Sequence, residues 1–278
     1  MDEINVMVNG LPGNVAQVIA RHFAVRAGLN LLPYSLTGPE IEVDSHEVAG
    51  RKIRLIRPDE RNAEMKAFDP TTSPFICIDF THPSAVNLNA QFYCEHAIPF
   101  VMGTTGGDRD QLMQTVHNSK TAAVIAPNMA KQIVGFQAMM AWAAENFPGL
   151  FSNYEITIQE SHQQGKADTS GTAKAMVTYF QQLGLECSPE SIQKERDPQK
   201  QQLEWGVPQE HLRGHGWHTY ILTSNDQSVQ FKFTHNVNGR EIYALGTLDA
   251  VLFLHKAIQK GARGKVFSML DVLRGTIA

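Results

Sequence analysis

The sequence predicts an α/β chain in two parts, the first a parallel sheet wound by helices and the second an α+β domain with a mixed or antiparallel sheet. Three observations carry that expectation. Short apolar runs alternate with helical stretches from Ile4 to about residue 130, the rhythm of a parallel sheet. The first run ends in a glycine-rich turn that opens a helix. Beyond a long helical stretch at residues 132–147, strands follow one another with one intervening helix. Residues 1–130 are therefore expected to form a Rossmann-like dinucleotide-binding domain, and residues 131–243 an α+β domain that carries substrate residues and subunit contacts.

Composition narrows the function. The 278 residues carry a net charge of −4 and are 42% hydrophobic. That suffices for a sizeable core and argues against nucleic acid or an anionic membrane as the main partner. Small anionic ligands need only a local positive site. The three cysteines, Cys77, Cys94 and Cys187, have no paired spacing, which points to reduced thiols and a cytoplasmic location. No apolar run approaches the roughly 20 residues of a membrane span. The acidic start Met1-Asp2-Glu3 runs straight into a strand, with no signal or transit peptide visible.

Ile4 to Val8 is the first strand. Asn9-Gly10-Leu11-Pro12-Gly13-Asn14-Val15-Ala16 follows, then a helix with Val15, Val18, Ile19 and Phe23 on one face and Gly28 placed to end it. Strand, glycine turn and helix form the setting of a dinucleotide fingerprint. Gly10 makes the turn, Gly13 lets a pyrophosphate approach backbone, and Ala16 permits close packing, with Leu11, Pro12, Asn14 and Val15 completing the cofactor loop. Leu29 to Leu36 is the second strand, although Pro33 is awkward for a central ladder. Its end should meet the adenosine ribose. No acid stands there, the nearest being Glu40 and Glu42, whereas Ser35 and Thr37 offer hydroxyls, so NADPH is favoured and NADH remains possible. Ile41 to Ile56 reads as a hairpin around Ala49-Gly50, Arg57 to Lys66 as a charged surface helix, and Phe75 to Phe80 as an apolar strand broken only by Asp79. Pro99 to Met102 is a buried strand leading into Gly103-Thr104-Thr105-Gly106-Gly107, whose backbone suits hydrogen bonds to a flat amide. Val124 to Met129 repeats that arrangement.

In the second part the residues from Glu155 alternate apolar and polar like a half-buried strand, and a helix with the stripe Ala173, Met176, Val177, Phe180 and Leu183 follows. Chemistry is expected on the loop between them, whose small and polar residues leave neither His162 nor Lys166 held by packing. Histidine titrates near neutrality and can hand over a proton, while lysine brings a positive charge. Ser170, Gly171 and Thr172 form the helix start, where unpaired N–H groups favour a carboxylate or phosphate. Strands at Ser191 to Glu195, His218 to Thr223 and Val229 to Thr234 complete the domain. His211, His215, His218 and His235 lack the spacing of a zinc site, and no metal is expected.

Glu160-Ser161-His162, Lys166, Asp168 and Ser170-Gly171-Thr172-Ala173 resemble the E-x-H-x-x-x-K-x-D-x-S-G-T-A signature of the dihydrodipicolinate reductase family, which serves the diaminopimelate route to lysine. The resemblance extends over nearly the whole chain and is nearest to the plant-type form. It implies NAD(P)H-dependent reduction of 4-hydroxy-tetrahydrodipicolinate, a small cyclic dicarboxylate, to tetrahydrodipicolinate. His162 would donate the proton, Lys166 would hold a carboxylate, and Gln163, Ser170, Gly171 and Thr172 would complete the substrate site. Many members carry a second histidine where Gln163 stands here, which leaves His162 as the sole acid in the loop. Asp79-Phe80-Thr81 opens a D-F-T-x-P-x-A segment, by which Phe80 and Thr81 line the cofactor site. Gly103, Thr104 and Thr105 would border the nicotinamide, and Ala126, Asn128 and Met129 would touch its carboxamide. Val15 departs from the family's more usual methionine. Arg240 to Ala250 match an R-x-x-x-A-x-G-T-x-x-A segment, implying that a helix at about residues 244–278 returns to the first domain. A homodimer or homotetramer is expected. Two rival readings are another NAD(P)-linked imine or carbonyl reductase on this scaffold, and a nucleotide-sensing protein without turnover.

Overall fold

The computed structural model of the chain describes residues 3–64 and 72–277. It divides into two compact units, one of residues 1–131 with 241–278 and the other of residues 132–240.

In the first unit the apolar runs become β1 (Ile4–Asn9), β2 (Leu29–Leu31), β3 (Tyr34–Leu36), β4 (Ser45–Val48), β5 (Arg51–Ile56), β6 (Phe75–Asp79), β7 (Phe100–Met102) and β8 (Ala123–Ile125). The helices between them are α1 (Asn14–Ala24), α2 (Arg61–Glu64), α3 (Val86–Glu95) and α4 (Arg109–His117). Parallel strands covered on both faces are continuously apolar. That is why every residue of β6, β7 and β8 is buried, Asp79 included. The sheet order is β13-β8-β7-β6-β1-β2, where β13 is Val266–Phe267 near the C-terminus.

The strand expected at Leu29 to Leu36 is two strands, and Pro33 explains the break. β2 pairs with β1, while β3 pairs with β5 in a separate sheet of order β3-β5-β4. Pro33 lies between them and contributes only its carbonyl, which accepts from Arg54 N at 2.8 Å; no missing N–H disturbs a ladder. The hairpin is shorter than expected, β4 and β5 turning at Ala49-Gly50, with Ile41 and Val43 outside any strand. Met65 and Lys66 of the expected surface helix lie outside the described residues.

The second unit starts in the long helix α5 (Lys131–Asn146) and continues with β9 (Tyr154–His162), α6 (Gly171–Gln182), β10 (Gln193–Glu195), α7 (Pro198–Leu203), β11 (His215–Ser224) and β12 (Gln230–Asn238). Its sheet runs β10-β9-β11-β12, parallel between β10 and β9 and antiparallel elsewhere. The predicted stripe of α6 packs on this sheet, with Met176, Val177, Phe180 and Leu183 against Ile158, Tyr220 and Leu222. Burying such side chains stabilises the unit by about 1.5–3 kcal/mol each. Register also decides what meets farther along the same face. Gly216 stands opposite His162 and His218 opposite Glu160.

The chain returns to the first unit through α8 (Glu241–Gln259) and α9 (Met269–Arg274). Gly246 of α8 lies so close to Met129 that a methyl group there would overlap the Met129 carbonyl, which ties this helix to the loop after β8. No helix among the described residues is long and apolar enough to cross a membrane.

Candidate active site

In the first unit the predicted cofactor residues lie on loops that leave the carboxyl ends of β1, β6, β7 and β8, and successive loops are stitched sideways. Phe80 N donates to Asn9 O at 3.1 Å, Gly103 N to Asp79 O at 3.0 Å, and Ala126 N to Met102 O at 3.0 Å. Strand ends of an open α/β sheet are where ligands collect. Gly10 has φ +104° and sits where any Cβ would overlap the Phe80 carbonyl, so the turn requires glycine both for its conformation and for the approach. Helix α1 starts at Gly13 without a side-chain cap. The amides of Asn14 and Val15 have no hydrogen-bond partner among the described residues, which is what a pyrophosphate at a helix start needs.

Ser35 and Thr37, expected at the cofactor, lie beneath the glycine loop. Both are buried; Ser35 Oγ accepts from Leu11 N at 3.3 Å and Thr37 Oγ1 donates to Leu11 O at 2.7 Å. Their hydroxyls brace the glycine loop. Glu40, set aside in the sequence as lying beyond the strand end, folds back so that its carboxylate lies against Gly38.

Sequence reasoning missed the support beneath these loops. Asp79 is fully buried and its carboxylate accepts from Thr81 N (3.2 Å), Thr81 Oγ1 (2.8 Å), Thr104 Oγ1 (2.7 Å), Asn89 Nδ2 (2.8 Å) and Tyr93 Oη (2.8 Å). Asn89 in turn accepts from Arg61 Nη1 at 2.7 Å, and Asn9 Nδ2 donates to Tyr93 Oη at 2.9 Å. Burial, and next the Asp79 charge, push the Tyr93 phenol well above its usual range. Thr81 and Thr104 are thereby fixed by one anion. The signal available in the sequence was the lone carboxylate in an otherwise apolar strand. Of the remaining predicted cofactor residues, Thr105 is exposed, Asn128 caps Ala130 N at 2.9 Å, and Met129 is buried.

In the second unit His162 is not on a loop. It is the last residue of β9, half-buried, and both ring nitrogens are occupied: Nδ1 donates to His215 O at 3.2 Å, and Nε2 lies 3.0 Å from Nε2 of His218. The expectation that packing does not hold it was wrong, because the apolar-polar alternation of β9 continues to its end. Burial first, then the nearby Arg196 and Lys166 charges, push the imidazole down to about 4, against the opposing effect of Glu160. His162 is therefore neutral at pH 7 in this state.

Glu160 is fully buried and ion-paired with Arg196, and its other oxygen accepts from Ser170 N at 3.0 Å. Arg196 also donates through Nε to Lys166 O at 2.8 Å. The strand end, the loop and the start of α6 are thus tied to one carboxylate. In this arrangement the Ser170 amide serves Glu160 and its side chain is buried. Gly171 and Thr172 keep amides without a partner among the described residues, and Gly171 is open to solvent. Lys166 Nζ bonds Asp168 at 2.8 Å and holds that carboxyl below its usual range. Gln163 is half-buried, and the carbonyl of His162 accepts from Gln201 Nε2 at 2.6 Å. Arg196 and Gln201 had no motif to announce them.

Ligand atoms of Glu160, His162 and His218 come within 4.8 Å of one another. They do not present a metal with free donors, since Glu160 is spent on Arg196 and Ser170, and the two imidazoles are spent on each other.

Comparisons with known proteins agree along the whole chain. The family model described as "Dihydrodipicolinate reductase, N-terminus" matches residues 4–129, and "Dihydrodipicolinate reductase, C-terminus" matches residues 133–273. The chain is 47% identical to "Probable 4-hydroxy-tetrahydrodipicolinate reductase 1, chloroplastic" of Oryza sativa subsp. japonica over 97% of its own length and 78% of that protein's. It is likewise 47% identical to "4-hydroxy-tetrahydrodipicolinate reductase 1, chloroplastic" of Arabidopsis thaliana over 98% and 78% of the two lengths. Among solved structures, "Dipicolinate bound Dihydrodipicolinate reductase from Paenisporosarcina sp. TG-14" shares the fold with a TM-score of 0.64 at 18% identity, covering 96% of this chain and 97% of that one.

Proposed function

Because the chain belongs to the dihydrodipicolinate reductase family, we infer that it is an oxidoreductase of lysine biosynthesis that uses NAD(P)H to reduce 4-hydroxy-tetrahydrodipicolinate to tetrahydrodipicolinate. The observation that carries this for the chain's own residues is the assembly around Glu160, which gathers an imidazole, an ammonium and two unpartnered helix-start amides in one unit. In the first unit the start of α1 would hold the pyrophosphate of the dinucleotide, and the loops that Asp79 anchors would hold its nicotinamide. When bound, that cofactor would supply a hydride to ring carbon C4 of the conjugated imine that remains once the 4-hydroxyl has left as water. The resulting enamine needs one proton, which His162 gives. Lys166 holds one substrate carboxylate, and the amides of Gly171 and Thr172 take the other. The dianion itself favours protonation of His162 by placing negative charge beside it. A sensor without turnover has no use for this set of groups.

Loss of the near-ultraviolet absorbance of NADPH or NADH on adding the substrate, and not on adding unrelated ketones or imines, tests the reading. Lys166→Ala is expected to raise KM and lower kcat together, reducing kcat/KM roughly ten- to hundredfold, the value of a charge-assisted hydrogen bond. An unchanged KM removes Lys166 from the carboxylate site. NADH and NADPH both belong to the proposal, since the Ser35 and Thr37 hydroxyls bond the Leu11 backbone and the Glu40 carboxylate lies against Gly38 just past β3. Glu40→Gln should shift the ratio of kcat/KM for NADPH over NADH upward by about three- to tenfold, the size of one screened charge repulsion. An unchanged ratio means that Glu40 is remote from the 2′ position.

Subunit association as a dimer or tetramer is part of the same reading, and β12, whose outer edge has no ladder partner among the described residues, is the place for it. Three unpaired cysteines suit a reducing compartment, in keeping with a cytoplasmic enzyme.

A further inference from the structure

His162 is the first of three stacked imidazoles, and hydrogen-bond direction can be assigned along the row. The His215 carbonyl only accepts, so His162 carries its proton on Nδ1, and in the neutral ring Nε2 is a lone pair. His218 Nε2, 3.0 Å away, must then be the donor. Its own Nδ1 becomes an acceptor and faces His235 Nε2 at 3.3 Å, which must donate in turn. The row ends at His235 Nδ1, which is buried without a partner. Rings at 5.2 Å and 4.6 Å between centroids, meeting at steep angles, fit edge-on contact of this kind. His218 is almost wholly buried, between β9 and β12.

Neither nitrogen of His162 is thus free for a substrate. Adding a proton to His162 sets N–H against N–H across 3.0 Å, and that contact must open.

We propose that His218 is a positioning residue: it donates to His162 and holds the neutral ring against the sheet, and the ring is released to the substrate when His162 takes up, from solvent, the proton it will donate. The inference rests on the reading of His162 as the acid. His218 touches neither substrate nor cofactor in this role, and His235 fixes its tautomer. The groups around the pair are Glu160 on β9, Arg196 after β10, Lys166 on the loop, and His215, Tyr220 and His235 on β11 and β12. Of these, only His218 bonds the nitrogen that must change partner.

Nitrogen NMR of the full, ligand-free chain, with His162 identified by its loss in His162→Gln, should show the Nδ1–H tautomer for His162. The opposite tautomer overturns the proposal before any His218 variant is made. His218→Phe keeps the ring's bulk and removes the donor, so the neutral form of His162 loses a hydrogen bond. The alkaline limb of kcat/KM against pH should then move up by about one pH unit, and His218→Gln, which can donate, should move it back. Dissociation constants for NADPH should stay as in the parent protein. A limb that does not move in His218→Phe sinks the positioning role. If instead His162→Gln keeps its turnover, the acid assignment has failed, and the two failures are distinguishable.

Discussion

Replacing His162 with alanine should lower kcat by roughly two to four orders of magnitude, the usual contribution of a general acid, while leaving the dissociation constant for NADPH within about twofold. The size follows from the loop's inventory. Gln163 can hydrogen-bond but cannot carry the proton, Lys166 is engaged with Asp168, and Asp168 is exposed and held ionised by that lysine. The remaining acid within reach, Glu160, is locked to Arg196. The cofactor prediction follows from the residues assigned to it, all of which lie outside residues 132–240. His162→Gln is the control for folding, because its amide can still donate to the His215 carbonyl. Turnover within tenfold of the parent in both variants would mean that the proton comes from elsewhere, and a large loss of NADPH affinity would contradict the role.

The neutral state of His162 adds a pH signature. Its value lies below that of an unfolded histidine, so the folded chain binds fewer protons than the unfolded one in the window from about 6.5 down to about 4. Stability contributed by this residue is present above that window and declines as the pH falls through it. His235, pushed down to about 4 by burial, acts in the same direction.

How much of this was readable in the residues differs by feature. The glycine loop, the apolar parallel strands and the stripe of α6 were legible because each is a local pattern with one physical cause, conformation or periodic burial. The break at Pro33 was legible as a difficulty but not as a solution, since the second sheet that receives β3 depends on β5, encoded almost twenty residues later. Asp79 was visible as an exception, yet its five hydrogen-bond donors come from four separate places in the chain. His218 and His235 carry no local signal, because their spacing matches no zinc site. The antiparallel register of β9, β11 and β12 stacks them on His162, and register is set by pairing across the sheet, not by sequence spacing. Ser35 and Thr37 show the converse, residues legible as part of the loop whose side chains turn inward to Leu11.

Arg196→Met should destabilise the chain by about 3–5 kcal/mol, the cost of leaving a buried charge without its partner, and should raise KM for the substrate by more than it alters kcat. Glu160 has no exposure to water, and of its partners only Arg196 neutralises its charge. Methionine retains most of the apolar stem, so the loss is chiefly that of the guanidinium and its bonds to the carbonyls of Lys166 and Glu195. Those bonds fix the loop that presents Lys166, and a looser loop costs ground-state and transition-state binding alike. A second change makes the argument sharper. Glu160→Gln keeps an acceptor for Ser170 N and removes the charge, so the double variant should be more stable than the sum of the single losses predicts, with a coupling of about 1–3 kcal/mol. Denaturant unfolding of the four proteins reads this directly. Additivity within about 0.5 kcal/mol, or a loss below about 1 kcal/mol in Arg196→Met, would show that water reaches Glu160 and that the loop is held by something other than this ion pair.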